Sequence, residues 1–183
     1  VANDGVQVLL ANGTRVWSRT LKGSGTRREL TLGAQDGSLV LVRGNVIADH
    51  LRQVDLDEVT RNALSSGPGR FRYFDAPIPM RSEGPTSPPV LEGTVPSMEA
   101  TWAELMEFDD NANDGAGALE LHGDVIVRNR PDALEENDLD TDKLRLDFAE
   151  RDALPVINAA GEAPSADELS AFSGSRDVRT LTA

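Results

Sequence analysis

The sequence predicts an all-β protein, and three observations carry that expectation. A ten-residue pattern occurs twice, at 40–49 and at 119–128, and internal repetition outranks any single motif. In register, Val40, Val42, Gly44, Val46 and Ala48 match Leu119, Leu121, Gly123, Val125 and Val127. Alternate positions form one apolar row broken by a glycine, the pattern of a strand with one buried face. Next, Asn12-Gly13 separates two β-rich runs, the strongest short-range hairpin signal. Finally, Leu144, Leu146 and Phe148 alternate with Lys143, Arg145 and Asp147, apolar on one face and charged on the other. A glycine in mid-strand packs nothing, so its presence in both copies predicts a bend or bulge.

Taken in order, residues 6–10 and 14–21 form the first hairpin, and Lys22-Gly23-Ser24-Gly25 reads as a flexible corner. A strand at 29–32, a turn at Asp36-Gly37 and the first repeat strand follow. The second copy has the same order: a strand at 105–108, a loop ending at Asp114-Gly115, then the second repeat strand. The repeated unit is therefore a hairpin. An alternating strand trails each copy, at 53–59 and 143–148, the second displaced by a polar, acidic insertion at 130–138. Between the copies, Gly67-Pro68-Gly69 marks a corner before the aromatic run Arg70-Phe71-Arg72-Tyr73-Phe74. The repeat resumes beyond a Pro-rich insertion near 84–97, so a single domain over 1–183 is expected. A polar loop near 159–176 offers a helical turn or two at 165–169. The strand-like 178–183 stops partway through a further unit, as in a fragment of a longer protein.

Composition narrows the function classes. The 183 residues are 39% hydrophobic, enough for a core. With 31 acidic and 18 basic residues, the net charge of -13 repels nucleic acid and leaves no basic stripe to track phosphates. No nucleic-acid partner is expected. The absence of cysteine excludes disulfides and thiolate metal sites but fits every compartment. No apolar run reaches the length of a membrane-spanning helix, and Val1-Ala2-Asn3-Asp4-Gly5 lacks the basic and apolar regions of a signal peptide. An export signal or anchor is expected outside this sequence.

Signs of catalysis are sparse. His50 and His122 stand at different positions relative to the repeat glycines, and without cysteine or a His-x-His spacing no zinc site is expected. Ser24 lies between glycines but lacks the G-x-S-x-G elbow, and no GxxxxGK loop occurs. Residues 109–115 resemble a calcium loop, with Asp109, Asn111 and Asn113 at alternate positions and Glu120 twelfth. Asp114 stands where that loop requires glycine, so a polar hairpin loop is the better reading. The adjacent Asp109 and Asp110 would point apart on a strand. The expectation is a non-enzyme with no catalytic residue, cofactor or metal.

Gly44-Asn45-Val46 with Leu56-Asp57, and Gly123-Asp124-Val125 with Leu146-Asp147, resemble the strand units of the OstA-like superfamily, the lipopolysaccharide-transport proteins of LptA and LptC type. Arg179-Thr180-Leu181-Thr182-Ala183 resembles the lead-in to another unit. The resemblance implies an elongated β-jellyroll of repeated folded antiparallel strands forming two facing sheets. It implies a periplasmic or cell-envelope protein that binds or passes lipopolysaccharide or a related glycolipid in an apolar slit. Its partners would be acyl lipid and, through open strand edges, itself or other envelope jellyroll proteins. Burying acyl methylenes contributes ~0.8 kcal/mol each, and an open edge offers unpaired N–H and C=O groups. The two insertions and the negative charge depart from that pattern.

On this reading Val40, Val42, Val46, Leu119, Leu121, Val125, Leu144, Leu146 and Phe148 line the slit. The same row fits the sealed core of an interaction scaffold without lipid, because periodicity does not separate a filled interior from a groove. Arg70 and Arg72 alternate with Phe71 and Tyr73, placing cations opposite aromatics. They are candidates for contact with a phosphorylated headgroup, or for a solvated edge face. A tight solenoid is disfavoured, since the copies lie farther apart than its ~20–50 residue repeat.

Overall fold

Alternation and turn chemistry resolve, among the described residues of a computed structural model, into thirteen strands and one short 3-10 turn. The structure describes residues 2–10, 13–26, 28–76, 78, 88, 94–130, 136–150 and 176–183. In chain order the strands are β1 (Ala2–Leu9), β2 (Arg15–Ser24), β3 (Glu29–Gly33), β4 (Leu39–Arg43), β5 (Val46–Leu51), β6 (Gln53–Asp57), β7 (Asn62–Ser66), β8 (Gly69–Tyr73), β9 (Met98–Trp102), β10 (Leu105–Asp109), β11 (Ala118–Asn129), β12 (Asn137–Glu150) and β13 (Arg176–Thr182). No helix among the described residues is long and apolar enough to cross a membrane.

Neighbouring elements are halves of longer bent strands. Only Arg52 separates β5 from β6, Gly67-Pro68 separates β7 from β8, and Ala103-Glu104 separates β9 from β10. β2 and β11 run through the bend without a break, each pairing with one bent neighbour on both sides of it. The antiparallel circuit β2–β4–β5–β8–β9–β11–β10–β7–β6–β3–β2 therefore closes as a ten-strand barrel. β1 adds to it beyond β2, and β12 and β13 add beyond β11. The all-β expectation holds. An elongated jellyroll with two separate sheets is not what the pairing gives, because β2 and β11 carry the hydrogen bonding around both sides.

The bends line up across the sheet, and each has a local cause. Ala34 N–H donates to Arg52 C=O, Gly67 N–H to Glu104 C=O, and Ala103 N–H to Gly123 C=O. Gly123 and Asp124 both take positive φ, 79° and 46°, where β11 gains one residue on β12 between His122 and Val125. That is a β-bulge, and it turns the strand. A Cβ at Gly69 would overlap the Trp102 indole and come within 2.6 Å of Leu51. Glycine there lets side chains of the two neighbouring strands, Leu51 of β5 and Trp102 of β9, close over β8.

The two decapeptide copies diverge. The second is a continuous strand with its bulge at Gly123-Asp124. The first is a hairpin: β4 and β5 pair through Arg43↔Val46 around a two-residue turn at Gly44-Asn45, with φ of 57° at the glycine. Glycine at the first turn position is the requirement of the II′ class. The turn is anchored, since Asn45 Nδ2 donates to Phe74 C=O at 2.8 Å and Phe74 N–H returns to Asn45 C=O. The single apolar row expected through 40–48 is thereby broken, as the alternation does not carry across the turn.

One cluster fills the barrel interior, including Leu32, Leu51, Phe71, Leu121, Val125, Leu144 and Leu146. A second, smaller cluster of Trp17, Val42, Ile47, Phe74 and Ile78, with Val40 beside it, lies apart. The 22–24 segment, expected as a corner, is strand, paired to Ser24↔Glu29. β7 and β9 were not predicted at all. Most of the Pro-rich insertion at 84–97, residues 131–135 of the acidic insertion, and 151–175 with the helical turn at 165–169 lie outside the described residues.

Candidate functional site

The bends close one end of the interior, and the turns at Gly44-Asn45, 58–61 and 110–117 lie at the other. Towards this open end the two faces enclose a cavity of about 90 Å³. Leu41, Val46 and Phe71 line it from one face, and Ala63, Phe108 and Phe148 from the other. Phe148 stands between the rings of Phe71 and Phe108, with centroid separations of 6.3 and 6.4 Å. A second cavity of about 430 Å³ shares Thr14, Leu41, Ala63 and Phe108 with the first, so the two are contiguous. Val8, Leu30 and Leu56 form its apolar part, while Arg28, Arg61, Asp57 and Glu58 mark its rim. This outer volume lies within the ~300–1,000 Å³ of small-molecule sites.

An ion-pair triad spans the open end. Asp110 is fully buried; Arg43 Nη1 from the end of β4 donates to its Oδ1 at 2.5 Å, and Arg61 from the β6–β7 turn donates to its Oδ2. Asp110 N–H also donates to Arg61 C=O at 3.3 Å. The triad thus ties the Gly44 turn of one face to the loop after β10 on the other. Arg61 is about half exposed, whereas Arg43 is largely buried, and the buried Nε–H of Arg43, a residue lining the inner cavity, has no hydrogen-bond partner. Asp57 at the rim accepts from the N–H groups of Thr60 and Val59, which hold its carboxyl below the usual carboxylate range.

The nine expected slit residues separate into three groups. Val46, Leu119 and Phe148 line the inner cavity. Leu121, Val125, Leu144 and Leu146 are fully buried in the packed interior and line neither interior cavity. Val40 and Val42 belong with the second cluster, on the opposite side of their strand from Leu39 and Leu41. The cavity lining also includes Leu41, Ala63, Phe71 and Phe108, which lie outside the expected row. Phe71 and Phe108 had a signal, an aromatic at an alternating position, and Leu41 had one in the parity change that a Gly-Asn turn imposes.

Arg70 and Arg72 stand opposite Phe71, as their alternation predicts, but each is engaged. Arg70 makes a two-point contact with the buried Asp49, at 2.8 and 3.1 Å, and Arg72 donates to the same carboxylate. The Asp49 carboxylate holds the Arg70 pKa above its ordinary value. In the calcium-like loop, Asp109 Oδ1 accepts from Asn111 N–H, and Asp110 is held by the arginine pair. Those contacts make it a structural hairpin loop. On the outer face of β10–β11, donor atoms of Glu107, Glu120 and His122 come within 4.8 Å of one another. Lys143 and Arg145 already donate to Glu120, at 2.7 and 2.8 Å, and hold its carboxyl below the usual range.

No family model matches the chain, and no curated protein or solved structure matches it.

Proposed function

We propose that this chain is a non-enzymatic cell-envelope protein that binds an acyl lipid between the two faces of its barrel. The carrying observation is the pair of contiguous cavities at the open end, apolar within and charged at the rim. Apolar walls exclude water, and each acyl methylene transferred into them contributes ~0.8 kcal/mol. The bent, meandering strands, here closed into a barrel, support kinship with the repeat units of the OstA type as the finer description of the fold. Lipopolysaccharide or a related glycolipid in the periplasm is the cargo class that the resemblance suggests. Native mass spectrometry of protein purified from a Gram-negative host tests the reading. Retained acyl lipid, displaced by a fatty-acid probe or by added lipopolysaccharide, is expected. A bare protein that takes up neither would favour the alternative, a sealed scaffold.

A specific observation favours the scaffold for one part of the molecule. Leu121, Val125, Leu144 and Leu146 have no exposed surface, as in a packed core. Among the described residues β1 and β13 are the outermost strands beyond the circuit, and such edges offer backbone groups to a partner strand.

A further inference from the structure

We infer that the ligand is a single-chain carboxylate, its tail along the apolar walls of the two cavities and its head on Arg43, where it competes with Asp110. This rests on the lipid-binding reading above and specifies its ligand.

Three observations carry it. The cavities are small: about 90 Å³ within and about 430 Å³ outside. That seats one acyl chain at a time. The inner cavity is lined by apolar side chains except at Thr14 and Arg43, so an amphiphile has one cationic point at which to place a charged head. At that point Arg43 already shares Asp110 with the half-exposed Arg61, and its buried Nε–H has no acceptor. A buried donor without a partner carries a desolvation penalty. A ligand carboxylate relieves it, because guanidinium and carboxylate match as paired donors and acceptors. A neutral alcohol of the same length supplies the tail without the charge. The chain's net charge of -13 opposes any anion at long range, but at 0.15 M salt exposed charges act over only about 8 Å. The local arginines decide.

Competition with Asp110 gives the inference a signature that simple hydrophobic uptake lacks. In Asp110→Asn both guanidiniums lose their anion, so a ligand carboxylate should bind better. In Arg43→Gln the head loses its partner while the apolar walls stay.

The test is calorimetric titration of the full chain with decanoate, decan-1-ol and decyl phosphate at 0.15 M salt. Decanoate is expected to bind about tenfold or more tightly than decan-1-ol, the size of a charge-assisted hydrogen bond. Arg43→Gln should erase that difference. Asp110→Asn should tighten decanoate about fivefold and leave decan-1-ol unchanged. If decan-1-ol matches decanoate in the unaltered protein, the carboxylate assignment is overturned while lipid binding stands. Tighter binding of decyl phosphate overturns it in favour of a phosphate head. If neither decanoate nor the alcohol binds, the lipid-binding reading itself falls. Should Arg43→Gln fail to fold by circular dichroism, Asp110→Asn decides alone: an unchanged ratio of decanoate to alcohol overturns the inference.

Discussion

The two ends of the interior are built from the same kinds of residue and come out differently. At the bend end, Leu51 and Trp102 press against Gly69, and the Trp102 indole Nε1 donates to Gly67 C=O at 3.1 Å. Glycine there removes the Cβ that would keep those two side chains from closing over β8. At the open end, Leu41, Phe108 and Phe148 leave space between them, and the faces are joined by charges rather than packing: Arg43 and Arg61 on Asp110. Dispersion and hydrophobic burial close the first end, while a tether closes the second. Only the second has both space and a polar group beside it. A closed core and a binding cavity can thus share one continuous barrel when the bend line is placed off to one side of the cavity.

Substitutions at the two ends should separate in magnitude. Val125→Asp, at the packed end, buries a charge with no partner; it is expected to unfold the domain, a loss above about 4–5 kcal/mol, seen as absence of a cooperative transition. Retention of fold with loss of lipid uptake would place Val125 in a slit after all. Asp110→Ala leaves the largely buried Arg43 guanidinium without its anion, at an expected cost of about 3–5 kcal/mol in urea denaturation. A cost below about 1 kcal/mol would mean that the open end needs no tether. Leu144→Ala and Leu41→Ala remove the same atoms at opposite ends. The fully buried Leu144 should cost about 2–5 kcal/mol, and Leu41, which already borders empty space, distinctly less. Equal costs would erase the contrast.

The smallest effect lies on the outer face. Glu120 has its pKa lowered by Lys143 and then Arg145, so its charged form is favoured in the fold. Its contribution is present above the unfolded-state pKa and is lost as pH falls through the lower folded value. In Glu120→Gln, acid titration should show a slightly shallower fall of midpoint between pH ~5 and ~3, within the ~0–1 kcal/mol of exposed pairs. Identical pH profiles would show that the pair contributes nothing.

Much of the fold could be read from residue order, and the failures share a cause. Alternation at 143–148 placed Leu144, Leu146 and Phe148 inward together, as observed, because β12 runs without interruption there. The same rule failed at 40–48. The Gly-Asn pair ends one strand and starts another, so Val42 and Val46 fall on opposite sides of the sheet. Gly123-Asp124 looks alike in sequence but produces a bulge, because Glu104 and His122 are already paired across it. A glycine followed by a polar residue specifies a change of direction, and only the partner strand decides which change. The cavity was illegible for a related reason: it is a mismatch between two faces that no local pattern encodes. The triad's members, at 43, 61 and 110, likewise meet only once the barrel closes.

The hollow end is tested most directly by filling it. Ala63 lines both cavities, so Ala63→Leu should occupy the shared space without adding charge. Titration with a fluorescent fatty acid is expected to show saturable binding to the unaltered protein, loss of at least tenfold in affinity for Ala63→Leu, and a thermal midpoint that holds or rises. Unchanged affinity in a folded Ala63→Leu protein would contradict a binding site at the open end.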